Sequence, residues 1–310
     1  MISDTPHKIL IDTDIGEDID DILSLAFALI SPEFQVLGVT TTDGDTHARA
    51  RIARRLAAVC GRPDLPVAAG FMRNMPQPNP DTIGRGSVTQ WDLAPDEEGL
   101  PPASPASAVD LIADAAEAHP GQVSLLTIGS MTNVGQTFVR RPDSVAHLKQ
   151  VVTNGGVFGG GAKQTIGWNL RYDPVAASIV ARGPVPWVLL PENATAASAF
   201  RQEDESCLRE SSGLLCQLLA SAVDLWRQNK KDTGGRPPHL SDMNVFAYLM
   251  GILPATRADV AITVTRRGKM PGLSVTPVDD GIHLAGAPLP KRAAQTLREQ
   301  LLQRLTSWNG

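Results

Sequence analysis

Five aspartates, Asp12, Asp14, Asp18, Asp20 and Asp21, fall within ten residues of the segment ILIDTDIGEDIDDILSL. An apolar run precedes them, and the helical apolar pattern Ile22, Leu23, Leu25, Ala26, Leu29 follows, so they occupy a turn between a strand and a helix. Carboxylates gathered this closely repel one another and call for a compensating positive charge. Hard oxygen donors are what Ca²⁺ and Mg²⁺ prefer, and a flexible set of more than about six oxygens favours Ca²⁺ over Mg²⁺. Gly16 suits the sharp reversal from strand to helix. The competing reading is a solvated acidic turn that caps the helix. That reading accounts for Asp18 but leaves Asp12 and Asp14, at the strand end, unexplained.

The elements that must position this turn follow a simple alternation. Apolar runs rich in Val, Ile and Leu at 8–11, 35–40, 123–128, 150–153 and 185–190 are separated by helical patterns. This predicts an α/β fold: an open, mostly parallel sheet flanked by helices on both faces. Sites in such sheets lie at the carboxyl ends of the strands. There the chain reads DTDIGED, TTDGD, GSMTN and NGGVFGGG, loops that converge on one rim. A Pro- and Gly-rich stretch at 72–105 is too long for an ordinary connector and is expected to be a lid or inserted loop. One amphipathic helix is expected over 205–230, another from Ser241, a small antiparallel addition over 258–284 and a closing helix over 291–308, all within one domain spanning 1–310.

Composition narrows the function classes. The 310 residues are 42% hydrophobic and 20% charged with a net charge of -5, which gives nucleic acid little electrostatic reason to bind. No apolar stretch is long enough to span a membrane, and the start of the chain carries no export-signal pattern. Three widely spaced cysteines, Cys60, Cys207 and Cys216, suggest neither a disulfide framework nor a zinc site, and are expected to be reduced thiols in the cytoplasm.

Further short motifs recur in order: TTTDGD at 40–45, IGSMTN at 128–133, NGG at 154–156, WNLRYDPVAA at 168–177 and SDMNVFAY at 241–248. With DTDIGEDIDD, a DTDPGxDD-like start lengthened by two residues, the chain resembles the nucleoside hydrolases, the inosine-uridine preferring N-ribohydrolases. The resemblance implies a Ca²⁺ held by Asp14, Asp21, the backbone carbonyl of Ile128 and Asp242, although Asp242 by itself reads as a helix cap. It implies a water activated by the metal with Asp14 as general base, and an oxocarbenium-like sugar stabilised by surrounding carboxylates. It assigns Asp20, Asn154 and Asn169 to the substrate and places Asp12 behind the metal loop. It also implies a nucleoside-like small-molecule substrate and a homo-dimer or homo-tetramer.

The chain departs from that pattern at several places. The family's sugar-binding asparagine falls on Asp45, which is assigned to the substrate but cannot donate a hydrogen bond when ionised. The usual Glu-Phe-Asn reads Gly167, Trp168, Asn169, removing a carboxylate that contacts the sugar's exocyclic hydroxyl and leaving room at that end. Trp168 is expected to border the sugar. Ser241 stands where many members carry a histidine acid, and His239 is the expected substitute. Thr89, Gln90 and Trp91 replace a His-Gly motif, with Trp91 able either to stack on a base or to anchor its loop. These departures predict an altered substrate and leave the proposed metal ligands untouched. Two other readings are a non-catalytic metal-dependent nucleoside or sugar binder, and a haloacid-dehalogenase-like phosphatase using Asp12-Thr13-Asp14 as its nucleophile loop.

Overall fold

The first strand, β1 (His7–Thr13), is an interior strand of the sheet because it is apolar on both faces, with Ile9 and Ile11 buried on one side and Leu10 on the other. It is followed in chain order by α1 (Ile19–Ile30), β2 (Phe34–Thr41), α2 (Thr46–Val59), β3 (Val67–Ala69), α3 (Ala108–Ala118), β4 (Val123–Thr127), α4 (Thr132–Arg140), α5 (Pro142–Val145) and β5 (Gln150–Val157). Then come β6 (Thr165–Ile166), α6 (Trp168–Tyr172), α7 (Pro174–Val180), β7 (Trp187–Pro191), α8 (Gln202–Glu210), α9 (Leu214–Asn229) and α10 (Met243–Leu249). The chain closes with β8 (Ala255–Thr263), β9 (Gly272–Pro277), β10 (Leu284–Gly286) and α11 (Lys291–Ser307). This computed structural model describes residues 5–76, 88–94, 96–157, 165–192, 198–229, 237–265, 269–287 and 290–308.

The strands run in the order β3-β2-β1-β4-β5-β7-β10-β8-β9, with β6 hanging from β5. All pairings from β3 to β7 along this path are parallel, and β10 continues parallel to β7. The β10–β8 and β8–β9 pairs are antiparallel, which is the C-terminal addition expected from the alternating pattern. β8 buries Ala258, Val260 and Ile262 and exposes the residues between them, as a one-sided strand does. One core packs α1, α2, α9, α10 and α11 on the face that carries Ile9 and Ile11. The other packs α3, α4 and α7 on the face that carries Leu10 and Leu125.

One expectation needs revision. The single helix over 205–230 is two helices, because Ser211, Ser212 and Gly213 stop α8 before α9 begins. The short strands β3, β6 and β10 carry too few residues to show a period in the sequence. Much of the expected lid at 72–105, namely 77–87 and Pro95, lies outside the described residues. Its described part turns back on the acidic loop, where the Thr89 and Gln90 backbone N–H groups both donate to the Gly16 carbonyl.

Helix α11 is held by Leu297, Leu301 and Leu305 in the core and by Arg304, which forms a fork with Glu33 at 2.7 and 2.8 Å. Leu301 is fully buried. Leu301→Ala should destabilise the protein by about 2–5 kcal/mol in chemical denaturation, with the slope against denaturant unchanged.

Candidate active site

Parallel pairing of β1 with β2 and β4 sets Asp12 level with Thr40 on one side and Thr127 on the other, so everything after it emerges at the strands' carboxyl ends. Asp12 is fully buried beneath that rim, accepting from Thr40 Oγ1 at 2.5 Å and Asn133 Nδ2 at 2.7 Å. Its other oxygen, Oδ2, has no hydrogen-bond partner. Burial pushes the Asp12 carboxyl up to about 7, against the pull of those two hydrogen bonds.

Beyond Asp12 the chain makes the expected reversal. Gly16 adopts φ +111°, and a Cβ there would lie 2.9 Å from Ile52 Cδ1. The neighbouring loop fits just as closely, since a Cβ on Gly129 would sit 2.7 Å from the Asp14 nitrogen. Arg49 of α2, buried completely, braces the turn from below by donating to the carbonyls of Asp14, Ile15 and Asp43.

The turn opens into a cavity of about 170 Å³. The first loop lines it with Asp14, Glu17, Asp18, Asp20 and Asp21, the end of β4 with Ile128, β5 with Asn154, and α6 with Trp168 and Asn169. Glu192 at the end of β7 and Ser241 and Asp242 before α10 complete the wall. Carboxylate oxygens of Asp20, Asp21 and Asp242 all lie within 4.8 Å of one another. Each has a fixed donor: Thr13 Oγ1 to Asp21 at 2.5 Å, Ser241 Oγ to Asp20 at 2.7 Å, and Asn154 Nδ2 to Asp242 at 3.3 Å. Asn169 spends its amide hydrogens on the carbonyls of Ile128 at 2.9 Å and Asn154 at 3.2 Å, which leaves its carbonyl oxygen for a ligand.

These carboxylates are strained electrostatically. Burial, opposed by Arg49 and reinforced by Asp43, Glu17 and Asp20, raises Asp14 to about 7. Asp20 is raised to about 6 by burial and by Asp18. Asp21 and Asp242 are raised well above the ordinary carboxylate range by burial first and then by their acidic neighbours. An all-oxygen donor set with surplus negative charge suits a hard divalent cation, and no soft sulfur or imidazole ligand lines the cavity among the described residues. The residues present fit a metal of that class.

Not every expected residue reaches the cavity. Asp45 caps α2, accepting from the Ala48 N–H at 2.9 Å, and is absent from the cavity wall. A short polar side chain before a helix is claimed by its own backbone, and here Asp45 spends Oδ1 on that cap instead of lining the cavity. His239 is exposed, its backbone bridged to Ala199, and it too lies outside the wall, so the expected substitute acid is not brought to the site. Trp91 is 49% exposed and does not line the cavity, whereas Trp168 does, with Arg171 stacked over its ring at 4.1 Å. Asp18 stands at the helix N-cap position without making a capping bond and instead accepts from Trp226 Nε1 at 3.0 Å. Asp242 makes no capping bond either.

Arg49 and Glu192 were missed. Arg49 sits in a helix whose sequence is dense in arginine, so nothing distinguishes it there. Glu192 follows an apolar strand, VLLPEN, and the strand-end rule that picked out the first four loops would have found it at the fifth. The room expected beside Gly167 is taken up by this side chain, because a Cβ on Gly167 would overlap the Glu192 carboxylate.

The inosine-uridine preferring nucleoside hydrolase family model matches residues 9–296. An uncharacterized protein of Schizosaccharomyces pombe is 32% identical over 259 residues, 78% of this chain and 80% of that one. The pyrimidine-specific ribonucleoside hydrolase RihA of Klebsiella pneumoniae is 28% identical over 290 residues, 90% of each chain. Among solved structures, the plant nucleoside hydrolase PpNRh1 superposes with a TM-score of 0.76 at 19% identity, covering 98% of this chain and 100% of its own. A match running through every strand-end loop leaves no ground for the phosphatase reading of Asp12-Thr13-Asp14. This chain belongs to the inosine-uridine preferring nucleoside hydrolase family and is an N-glycosyl hydrolase.

Proposed function

We propose that the chain hydrolyses the N-glycosidic bond of a ribonucleoside or modified ribonucleoside, with Ca²⁺ held by Asp14, Asp21, Asp242 and the Ile128 carbonyl. The observation that carries this reading is the convergence of Asp20, Asp21 and Asp242, their oxygens within 4.8 Å of one another, in the cavity that Asp14 and Ile128 also line. A divalent cation bound there supplies the charge that offsets these carboxylates and lowers the pKa of a water molecule. Asp14, which lines the cavity beside the proposed metal site, takes up the proton of the attacking water on its carboxylate. Asp20, held by Ser241, and the free carbonyl oxygen of Asn169 accept hydrogen bonds from sugar hydroxyls. As the glycosidic bond breaks, the ring gains positive charge, and the fixed carboxylates around it favour that charge. Trp168 offers an apolar face at the mouth, the face opposite Arg171. Asp12 supports the turn from beneath.

Residence in the cytoplasm is supported by three free cysteines, as a reducing compartment keeps them. Association into dimers or tetramers follows from the family resemblance and is read by light scattering.

Release of free base and reducing sugar from a panel of purine, pyrimidine and modified ribonucleosides, with Ca²⁺ and with chelator, checks the activity. Turnover should require the cation, and failure of the metal-replete protein on every N-riboside would overturn the proposal. Asp14→Asn should lower kcat by about 10²- to 10⁴-fold, whereas His239→Ala should leave it within about threefold. Saturating Ca²⁺ at about one hundred times its Kd should stabilise the fold by about 2.7 kcal/mol. The sign of the pH dependence follows from carboxyl groups raised in the folded state. Without metal, their contribution to stability is intact below about pH 4 and is lost as pH rises through about 6 to 7. Thermal melts in chelator should therefore fall between about pH 4 and 8, and Ca²⁺ should remove most of that fall.

A further inference from the structure

We propose that Glu192 is a substrate-contacting, specificity-determining residue of this enzyme: its carboxylate binds the exocyclic hydroxyl of the sugar, replacing a carboxylate that position 167 no longer carries. This inference rests on the ribonucleoside reading above.

Glu192 is placed by the strand that precedes it. Pro191 ends β7 in register with Gly156 of β5, and the Glu192 N–H donates to the Gly156 carbonyl at 2.6 Å. The backbone is thus fixed, and the side chain forms part of the cavity wall with Asp20, Asn169 and Asp242. Its oxygens accept from two backbone N–H groups, Oε2 from Trp168 at 2.9 Å and Oε1 from Asn169 at 3.4 Å. A carboxylate has about four acceptor positions, so roughly two are left after these bonds. Among the described residues no lysine or arginine lies within ion-pair distance of it; Arg171 acts on its charge only from further away.

The geometry at Gly167 ties this side chain to the sugar. A Cβ at 167 would run into the Glu192 carboxylate and would also lie 2.5 Å from the Gly155 carbonyl carbon. Glu192 can occupy this space only because residue 167 has no side chain. The family segment Glu-Phe-Asn, which reads Gly167, Trp168, Asn169 here, would start a carboxylate from the same point. One strand-end loop has lost an acidic side chain and the adjacent one has put an acidic side chain into the volume released. Asp20 and Asn169 serve the ring hydroxyls at the aspartate end of the cavity, leaving the hydroxyl at the 167 end for Glu192. A buried carboxylate that expects a hydroxyl donor discriminates against a ligand lacking one, because the carboxylate is then left without a partner.

The test is the ratio of kcat/KM for a ribonucleoside to that for its 5′-deoxy counterpart, measured with Ca²⁺ in the wild type, Glu192→Ala and Glu192→Met. Met fills the volume without offering an acceptor, and thermal melts report whether each variant folds. The wild type should favour the hydroxylated substrate by about ten- to a hundredfold, and both variants should bring the ratio to within about threefold of one. A ratio near one in the wild type would overturn the inference. So would variants that lose activity equally on both substrates, because Glu192 would then only prop the 167–169 turn. Binding supplies a readout independent of turnover: calorimetry of the Ca²⁺-loaded protein with 1,4-anhydro-D-ribitol and its 5-deoxy counterpart should show the same preference, abolished in Glu192→Met. If the wild type hydrolyses no ribonucleoside, the functional reading fails, and the calorimetric comparison still decides the role of Glu192.

Discussion

Repulsion among buried carboxylates is the constraint around which this rim of the sheet is organised. Asp14, Asp20, Asp21 and Asp242 are gathered where water is scarce, and each is pushed up in pKa by burial and by acidic neighbours. Bringing a single ionised carboxylate into such surroundings costs several kcal/mol. The protein tolerates the arrangement by giving Asp20, Asp21 and Asp242 one rigid donor each. Thr13, Ser241 and Asn154 supply these donors, and Asn154 is itself met by Asn244, which also donates to the Pro191 carbonyl. Arg49 is cationic and buried beside the turn; its hydrogen bonds go to three backbone carbonyls and shape the loop, while its charge offsets Asp14 and Asp21 only in part and pairs at 4.0 Å with Glu17. The unmet demand for positive charge stays in the cavity, where a cation would have most effect.

Close packing makes that arrangement reproducible. The first loop is pressed between α2 beneath Gly16 and the turn carrying Gly129, and the segment after 87 closes over it through the Gly16 carbonyl. None of these contacts is catalytic in itself. Together they remove the freedom by which like-charged side chains would separate, which is how a strained constellation persists at a functional site.

What was readable in the sequence follows the distance over which each signal acts. The aspartate turn is local: strand, carboxylates, glycine and helix lie within about twenty residues, and the apolar strands reveal a parallel sheet because both of their faces are buried. Asp242 reaches the same site from 221 residues beyond Asp21, and nothing in its own neighbourhood separates a cavity-facing aspartate from a helix cap. The family resemblance supplied that link. Asp45 shows the opposite failure, since its motif position suggested a ligand contact while the adjacent helix claimed its side chain. Asp18 was read as a cap and turned out to be tied to Trp226 of α9, a tertiary contact that no local pattern encodes.

The departures from the family pattern share a logic. Where a side chain is missing, a neighbour on a different element occupies its place or satisfies the group it would have served. Ser241 stands in a histidine's position and its hydroxyl holds Asp20. Gly167 lacks a side chain and Glu192, from the next strand, lies in the space. A hydroxyl can hold a carboxylate as an imidazole would but cannot act as an acid at neutral pH, so Ser241 preserves the shape of the site while surrendering proton donation to the departing base. Glu192 and Gly167 occupy complementary volumes, so neither can change alone without losing either the carboxylate or the space it fills.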